Sequence, residues 1–197
     1  MFFTLARDAV VKRIVFAASC SAYGDTDAEK LSEEMLPLPQ NPYAVQKYVG
    51  ELCARAFLKN YSIETVSLRF FNVYGPRQSS QGAYAPVIPI FIEAKKSGKM
   101  LPVVGTGEQT RDFVHVRDIA RGLIFARVSK NVGDGEVINL GTGIETSINK
   151  IAELVGGEVT HLPARKEMLR ACADNSLAKK VLDWEPEISI EEGIRKM

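Results

Sequence analysis

Apolar positions along the chain follow two spacings. Arg13-Ile-Val-Phe-Ala-Ala18, Glu64-Thr-Val-Ser-Leu-Arg-Phe-Phe71 and Glu136–Leu140 are short, mostly apolar runs rich in strand formers. Such runs mark strands buried on both faces of a parallel sheet. Between them the apolar residues recur at helical intervals. Tyr43, Val45, Val49, Leu52, Ala56 and Phe57 predict a helix from Pro42 to about Asn60. Further helices are predicted from Pro86 to about Ser97 (ended by Gly98), from Arg117 to Val128, from Ser147 to Val155, near Ser176–Leu182 and from about Ser189. A short strand at Leu101–Val104 precedes a turn at Gly105-Thr-Gly107, while Asp25–Asn41 and the segment around Gly75-Pro76 read as loops. Strands alternating with helices predict an α/β fold around a parallel sheet.

Composition narrows the classes of function. The chain has 197 residues, 46% hydrophobic and 25% charged, the proportions of an ordinary globular protein. A net charge of +1 with scattered basic residues gives no stripe for a phosphate backbone, so nucleic acid is not an expected partner. No apolar run reaches the roughly 18–20 residues needed to cross a bilayer, and the opening Met-Phe-Phe-Thr-Leu-Ala-Arg-Asp is unlike a secretory signal. Three cysteines, Cys20, Cys53 and Cys172, without metal-like spacing suit a reduced cytoplasmic setting. With His115 and His161 as its two histidines, the chain offers no metal-site pattern.

The strongest chemical pattern is Tyr43-Ala-Val-Gln-Lys47, which places a phenol and an ammonium one turn apart on one helix face. Pro42 sets the helix start, so Tyr43 falls where the helix dipole favours a phenolate, and the neighbouring ammonium favours it further. A tyrosine so placed can act as a general base. Ser19 ends the first strand, on the side of an open α/β sheet where ligands bind. A hydroxyl there suits a substrate oxygen, although a serine in that place also caps turns.

Together Phe16–Gly24, Asn41-Pro-Tyr-Ala-Val-Gln-Lys47, Leu68–Arg77, Gly105-Thr-Gly-Glu-Gln-Thr-Arg111-Asp-Phe-Val-His-Val116, and a tail from Arg165 through Asp174 to Leu182–Pro186 resemble the extended short-chain dehydrogenase/reductase family. The likeness covers nearly the whole chain and is greatest to the family's nucleotide-sugar 4-epimerases, of the UDP-glucose and UDP-N-acetylglucosamine types. It implies the C-terminal part of a Rossmann-like parallel sheet, with three of its strands, plus a small α/β substrate-binding lobe. Residues 1–77 would belong to the Rossmann-like domain and 78–197 mainly to the lobe, with 117–155 returning to the sheet domain.

The resemblance also implies roles. Tyr43 would take the proton of the sugar 4-hydroxyl while hydride passes to NAD. Lys47 would hydrogen-bond the nicotinamide ribose, and Ser19 the reacting oxygen. Phe70 joins Tyr43 and Lys47 as a cofactor contact. Asn72, Arg111 and Arg170 match residues that hold the nucleotide diphosphate, and Pro86, Val87 and Val104 match the lining of the uracil pocket. Glu167 stands where the family has aspartate, which leaves Arg165 without a secure counterpart. Ala171 falls at the position gating the sugar, where a small side chain leaves room for an N-acetyl group. Ser19-Cys20-Ser21 carries no carboxylate, unlike the family's 4,6-dehydratases and decarboxylases. A homodimer through the Tyr43 helix and a UDP-sugar substrate are the partners implied.

The family's Gly-x-x-Gly-x-x-Gly turn for NAD and its ribose-binding acid do not occur in these residues. Thr4–Val10 reads as the end of a helix and the last residues carry no stop signal. The expectation is therefore that roughly a hundred residues, several βαβ units, precede this segment, and that NAD binding by the segment alone is weak. The first strand would then present an apolar edge that the chain covers by self-association or rearrangement. Two other readings remain open: a non-catalytic sugar-nucleotide-binding or oligomerising module, and another sugar-nucleotide reductase or synthase of the family.

Overall fold

The structure, a computed structural model, describes residues 1–82, 85–165 and 168–197. A short helix α1 (Phe2–Asp8) leads into strand β1 (Arg13–Ser19), and Cys20–Tyr23 follow as a single 3-10 turn. Helix α2 (Pro42–Tyr61) begins where the sequence signals it: Asn41 Oδ1 accepts from the Ala44 amide at 2.9 Å, and Pro42 supplies the pre-set first turn. Strand β2 (Glu64–Phe70) and a short β3 (Asn72–Tyr74) follow, then α3 (Val87–Lys96), β4 (Leu101–Val104), β5 (Thr110–Arg111) and β6 (Phe113–His115). Helix α4 (Val116–Val128), strands β7 (Asp134–Leu140) and β8 (Thr146–Ser147), helix α5 (Ile148–Val155), strand β9 (Val159–Leu162) and helices α6 (Ser176–Leu182) and α7 (Ile190–Arg195) complete the chain.

The principal sheet is the expected parallel one, with three strands in the order β1–β2–β7. Its carboxyl ends are level: Ser19 lies opposite Phe70, and Phe70 opposite Leu140. Among the described residues β1 pairs with β2 alone and so forms a sheet edge. Beside it Phe2, Leu5 and Val10 are exposed. The remaining strands form two-stranded pairs: β3 with β6 and β4 with β9 in parallel, β5 with β8 antiparallel.

Two cores organise these layers. The first gathers β2, β7, α4 and the tail, with Leu68, Ile138, Leu140, Ala173 and Trp184 fully buried. The second gathers Tyr74, α3, β4, α5 and Ile194. Within 117–155, α4 and β7 thus pack in the first core and α5 in the second. Arg13 ties the sheet edge to the end of α4: its guanidinium donates to Ala126, Arg127, Ser129 and Val132 carbonyls at 2.7–3.0 Å and to Glu64 at 2.6 Å. No helix among the described residues is long and apolar enough to cross a membrane.

Candidate active site

Tyr43 is the second residue of α2, and its side chain stands largely exposed. Lys47, one turn further along, donates from Nζ to the Ala17 carbonyl at 2.8 Å, with its amine 5.8 Å from the centre of the Tyr43 ring and 5.7 Å from that of Phe16. The helix approaches β1 this closely because residue 50 is glycine. A Cβ there would fall 2.1 Å from the Phe16 ring.

The Ala17 carbonyl that holds Lys47 lies two residues before Ser19. Ser19 is buried, and its Oγ accepts from the Ser21 amide at 3.2 Å and the Ser21 hydroxyl at 2.9 Å. The turn-capping and chemical readings are therefore compatible, because the acceptor sites are used while the Ser19 O–H proton remains to be donated. Next to it, burial pushes the Cys20 thiol up to about 12, so it stays protonated and is no nucleophile. Phe70 sits partly buried beside the first core at the end of β2.

The residues matched to the nucleotide fall together. Asn72, Pro86, Val87, Val104 and Arg111 line one cleft of about 460 Å³, with Gln109 and Arg165. Arg111 is half-buried and donates from Nη1 to the Thr110 carbonyl at 2.8 Å. Arg170 lines an adjoining cleft of about 550 Å³ that shares Val104, Gln109 and Arg165 with the first. It is held by Glu145 in a bidentate pair at 2.9 and 2.6 Å, and Thr110 donates to the same carboxylate at 2.8 Å. The Arg170 guanidinium keeps the Glu145 carboxyl below its usual range. Ala171, expected to gate the sugar, is buried in the first core, two residues before Ala173, whose amide donates to Asp112. Glu167 lies outside the described residues.

Two features escaped the sequence reading. Asp112, fully buried, accepts from the Thr142 amide and hydroxyl at 2.7 Å each, from Gly143 N at 2.8 Å and from Ala173 N at 3.1 Å. It thereby joins the loop after β7 to the strand of chain that follows Arg170 and Ala171. Burial raises its carboxyl above the usual range. Glu51 and Arg69 form a bidentate pair in which each side chain is 2% exposed. The available signal was position, since Asp112 follows Arg111 and Glu51 falls one turn beyond Lys47.

The chain is thus an α/β protein with a three-stranded parallel sheet, a tyrosine–lysine helix against its edge strand and a cleft lined in part by arginine. Residues 2–141 match the NAD dependent epimerase/dehydratase family, and the chain belongs to it. It is 36% identical over 199 residues to a UDP-glucose 4-epimerase of Mycolicibacterium smegmatis, covering 97% of this chain and 63% of that protein. Its structure matches a UDP-N-acetylglucosamine 4-epimerase of Methanobrevibacter ruminantium, solved with UDP-N-acetylmuramic acid, with a TM-score of 0.92 and 33% identity over 98% of this chain and 64% of the other. It also matches a UDP-glucose 4-epimerase of Thermotoga maritima, solved with UDP-glucose, with a TM-score of 0.91 and 34% identity over 98% and 64%. The chain thus spans less than two thirds of the length of these relatives.

Proposed function

We propose that this chain carries the proton-transfer and nucleotide-sugar part of an NAD-dependent enzyme that epimerises UDP-hexoses at C4, acting on UDP-glucose and UDP-galactose or their N-acetyl forms. One observation carries the reading: Lys47 is hydrogen-bonded to Ala17 at the carboxyl end of β1, beside the Tyr43 ring and two residues from Ser19. In this reading Tyr43 takes the proton of the sugar 4-hydroxyl while the Ser19 hydroxyl hydrogen-bonds the same oxygen and keeps its own proton. Lys47 holds a positive charge beside the phenol. Asn72, Arg111 and Arg170 bind the diphosphate, and Pro86, Val87 and Val104 face the base. Ser19-Cys20-Ser21 carries no carboxylate, so this turn offers no carboxylic acid for elimination or decarboxylation.

The residues present fit one end of NAD. An ammonium has three protons, of which Lys47 places one on Ala17, leaving two for ribose hydroxyls. The pyrophosphate is a different matter. Gly141-Thr-Gly143 follows a strand of the principal sheet, but the Thr142 and Gly143 amides already serve Asp112, and α5 begins only at Ile148. That turn is thus no pyrophosphate cradle. When bound, NAD supplies the reversible oxidation at the sugar carbon. The exposed apolar face of α2, with Val45, Val49 and Leu52, supports a homodimer through this helix, and three free thiols support a reduced cytoplasmic setting.

The test is conversion of UDP-galactose to UDP-glucose in the presence of NAD, followed through a coupled UDP-glucose dehydrogenase. Tyr43→Phe is expected to lower the rate at least about a hundredfold while leaving UDP-glucose affinity within about threefold. A second reading is a sugar-nucleotide-binding module without turnover, since the clefts that hold Asn72, Arg111 and Arg170 lie on residues of this chain. Calorimetric binding of UDP-glucose with no conversion would select that reading, and neither binding nor conversion would sink both.

A further inference from the structure

Tyr43, Lys47 and Glu51 recur every four residues along α2, so they share one face. That face turns inward along the helix: Tyr43 is exposed, Lys47 half-buried and Glu51 fully buried. At its inner end both Glu51 oxygens accept from Arg69, Nε at 2.9 Å and Nη2 at 2.7 Å. Arg69 lies in β2 opposite Ala18, one residue before Phe70. The Tyr23 ring stands 4.5 Å from its guanidinium carbon, and the Tyr23 hydroxyl donates to Asn139 Oδ1 in β7 at 2.7 Å. Asn139 in turn donates to the Leu31 and Asp174 carbonyls. A buried polar plate thus links α2, β2, β7 and the turn that starts at Ser19.

Holding α2 on the sheet does not require such a plate. Taking two charges out of water is expensive, and an apolar pair of similar volume often stabilises a fold as well or better. Here the cost is visible, since both charged side chains are only 2% exposed. What apolar packing does not supply is one rotational setting. Two parallel N–H···O bonds are satisfied in one orientation of the helix about its axis. A rotation of about 20° moves a side-chain tip roughly 6 Å from the axis by roughly 2 Å. That displacement is enough to break the 2.8 Å bond from Lys47 to Ala17.

We infer that the Glu51–Arg69 pair is a positioning device that fixes the rotation of α2 and so aims Lys47, and with it Tyr43, at the carboxyl end of β1. The inference takes the role of Lys47 from the function proposed above. Its test reads the geometry of Lys47 whether or not the chain turns over a sugar, so the two can fail separately.

The experiment measures acetylation of Lys47 by an amine-reactive ester, followed by mass spectrometry and normalised to exposed Lys59 near the end of the same helix. It compares the full chain with Glu51→Met/Arg69→Met and with Arg69→Lys, which keeps the charge but not the fork. The double variant is expected to melt within a few degrees of the parent, yet to label Lys47 about tenfold faster, the equivalent of one lost hydrogen bond. Arg69→Lys is expected to raise the labelling severalfold. Unchanged Lys47 labelling in a double variant that melts like the parent overturns the inference. If the double variant melts far lower, Arg69→Lys decides: faster Lys47 labelling supports positioning, and unchanged labelling reduces the pair to a stabilising contact.

Discussion

Asp112→Asn removes a charge from the centre of the molecule while keeping its volume. One carboxylate oxygen of Asp112 serves Thr142 N and Oγ1, and the other serves Gly143 N and Ala173 N. An asparagine has a single acceptor oxygen, so its NH₂ group faces either the Thr142 amide, with the Thr142 hydroxyl free to turn and accept, or the Gly143 and Ala173 amides together. Each hydrogen bond to a charged group contributes about 1.5–3 kcal/mol. Against this loss stands the relief of burying an ionised carboxyl, which already raises Asp112 above its usual range. The expected net loss is about 2–4 kcal/mol. For a chain of this size that corresponds to a melting temperature lower by roughly 4–16 °C. The assay is thermal unfolding by circular dichroism at neutral pH, combined with amide hydrogen exchange at Thr142, Gly143 and Ala173. Protection is expected to fall at Thr142 if the amide oxygen stays on the Gly143 side, and at Gly143 and Ala173 together if it does not, because those two share one oxygen. A variant that melts within about 2 °C of the parent, with all three amides as protected as before, would refute the reasoning.

Acidification and the sheet edge offer two further checks. His115 is buried, its Nδ1 accepts from the Arg117 amide at 3.2 Å as the cap of α4, and burial lowers its pKa. The unfolded chain therefore binds the proton more readily, so this stability is present above the ordinary histidine value of about 6.5 and is lost as pH falls through the lower folded value. His115→Asn keeps a capping oxygen but does not titrate, and urea unfolding between neutral and acidic pH is expected to show a flatter dependence, with parallel curves counting against the account. Arg13→Ala deprives four carbonyls around the end of α4 of their donor and should cost about 2–3 kcal/mol in chemical denaturation, with Arg13→Lys recovering only part. An alanine variant within about 0.5 kcal/mol of the parent would show that water replaces the guanidinium.

Much of the frame was readable because its signals are local. The three sheet strands, α2 behind Asn41-Pro42 and α3 before Gly98 follow from short spacings and end residues, as do α5 behind Ser147 and α7 behind Ser189. The short strands were not readable. β3, β6, β8 and β9 have two to four residues each, too few to show an alternation, and exist because a partner from elsewhere in the chain lies alongside. The same holds for the site. Tyr43 and Lys47 announce themselves by a four-residue spacing, and the cleft residues by their ordered blocks.

The sequence by itself determined the α/β alternation and the tyrosine–lysine face of α2, because periodicity, capping and turn chemistry act over a few residues. Only the tertiary structure decided that Glu145 holds Arg170, that Ala171 packs in the core, that Asp112 gathers four donors, and that Glu51 meets Arg69. Those outcomes depend on which distant groups the fold brings together. A buried charge persists only where the fold supplies its partner, and no local spacing records that.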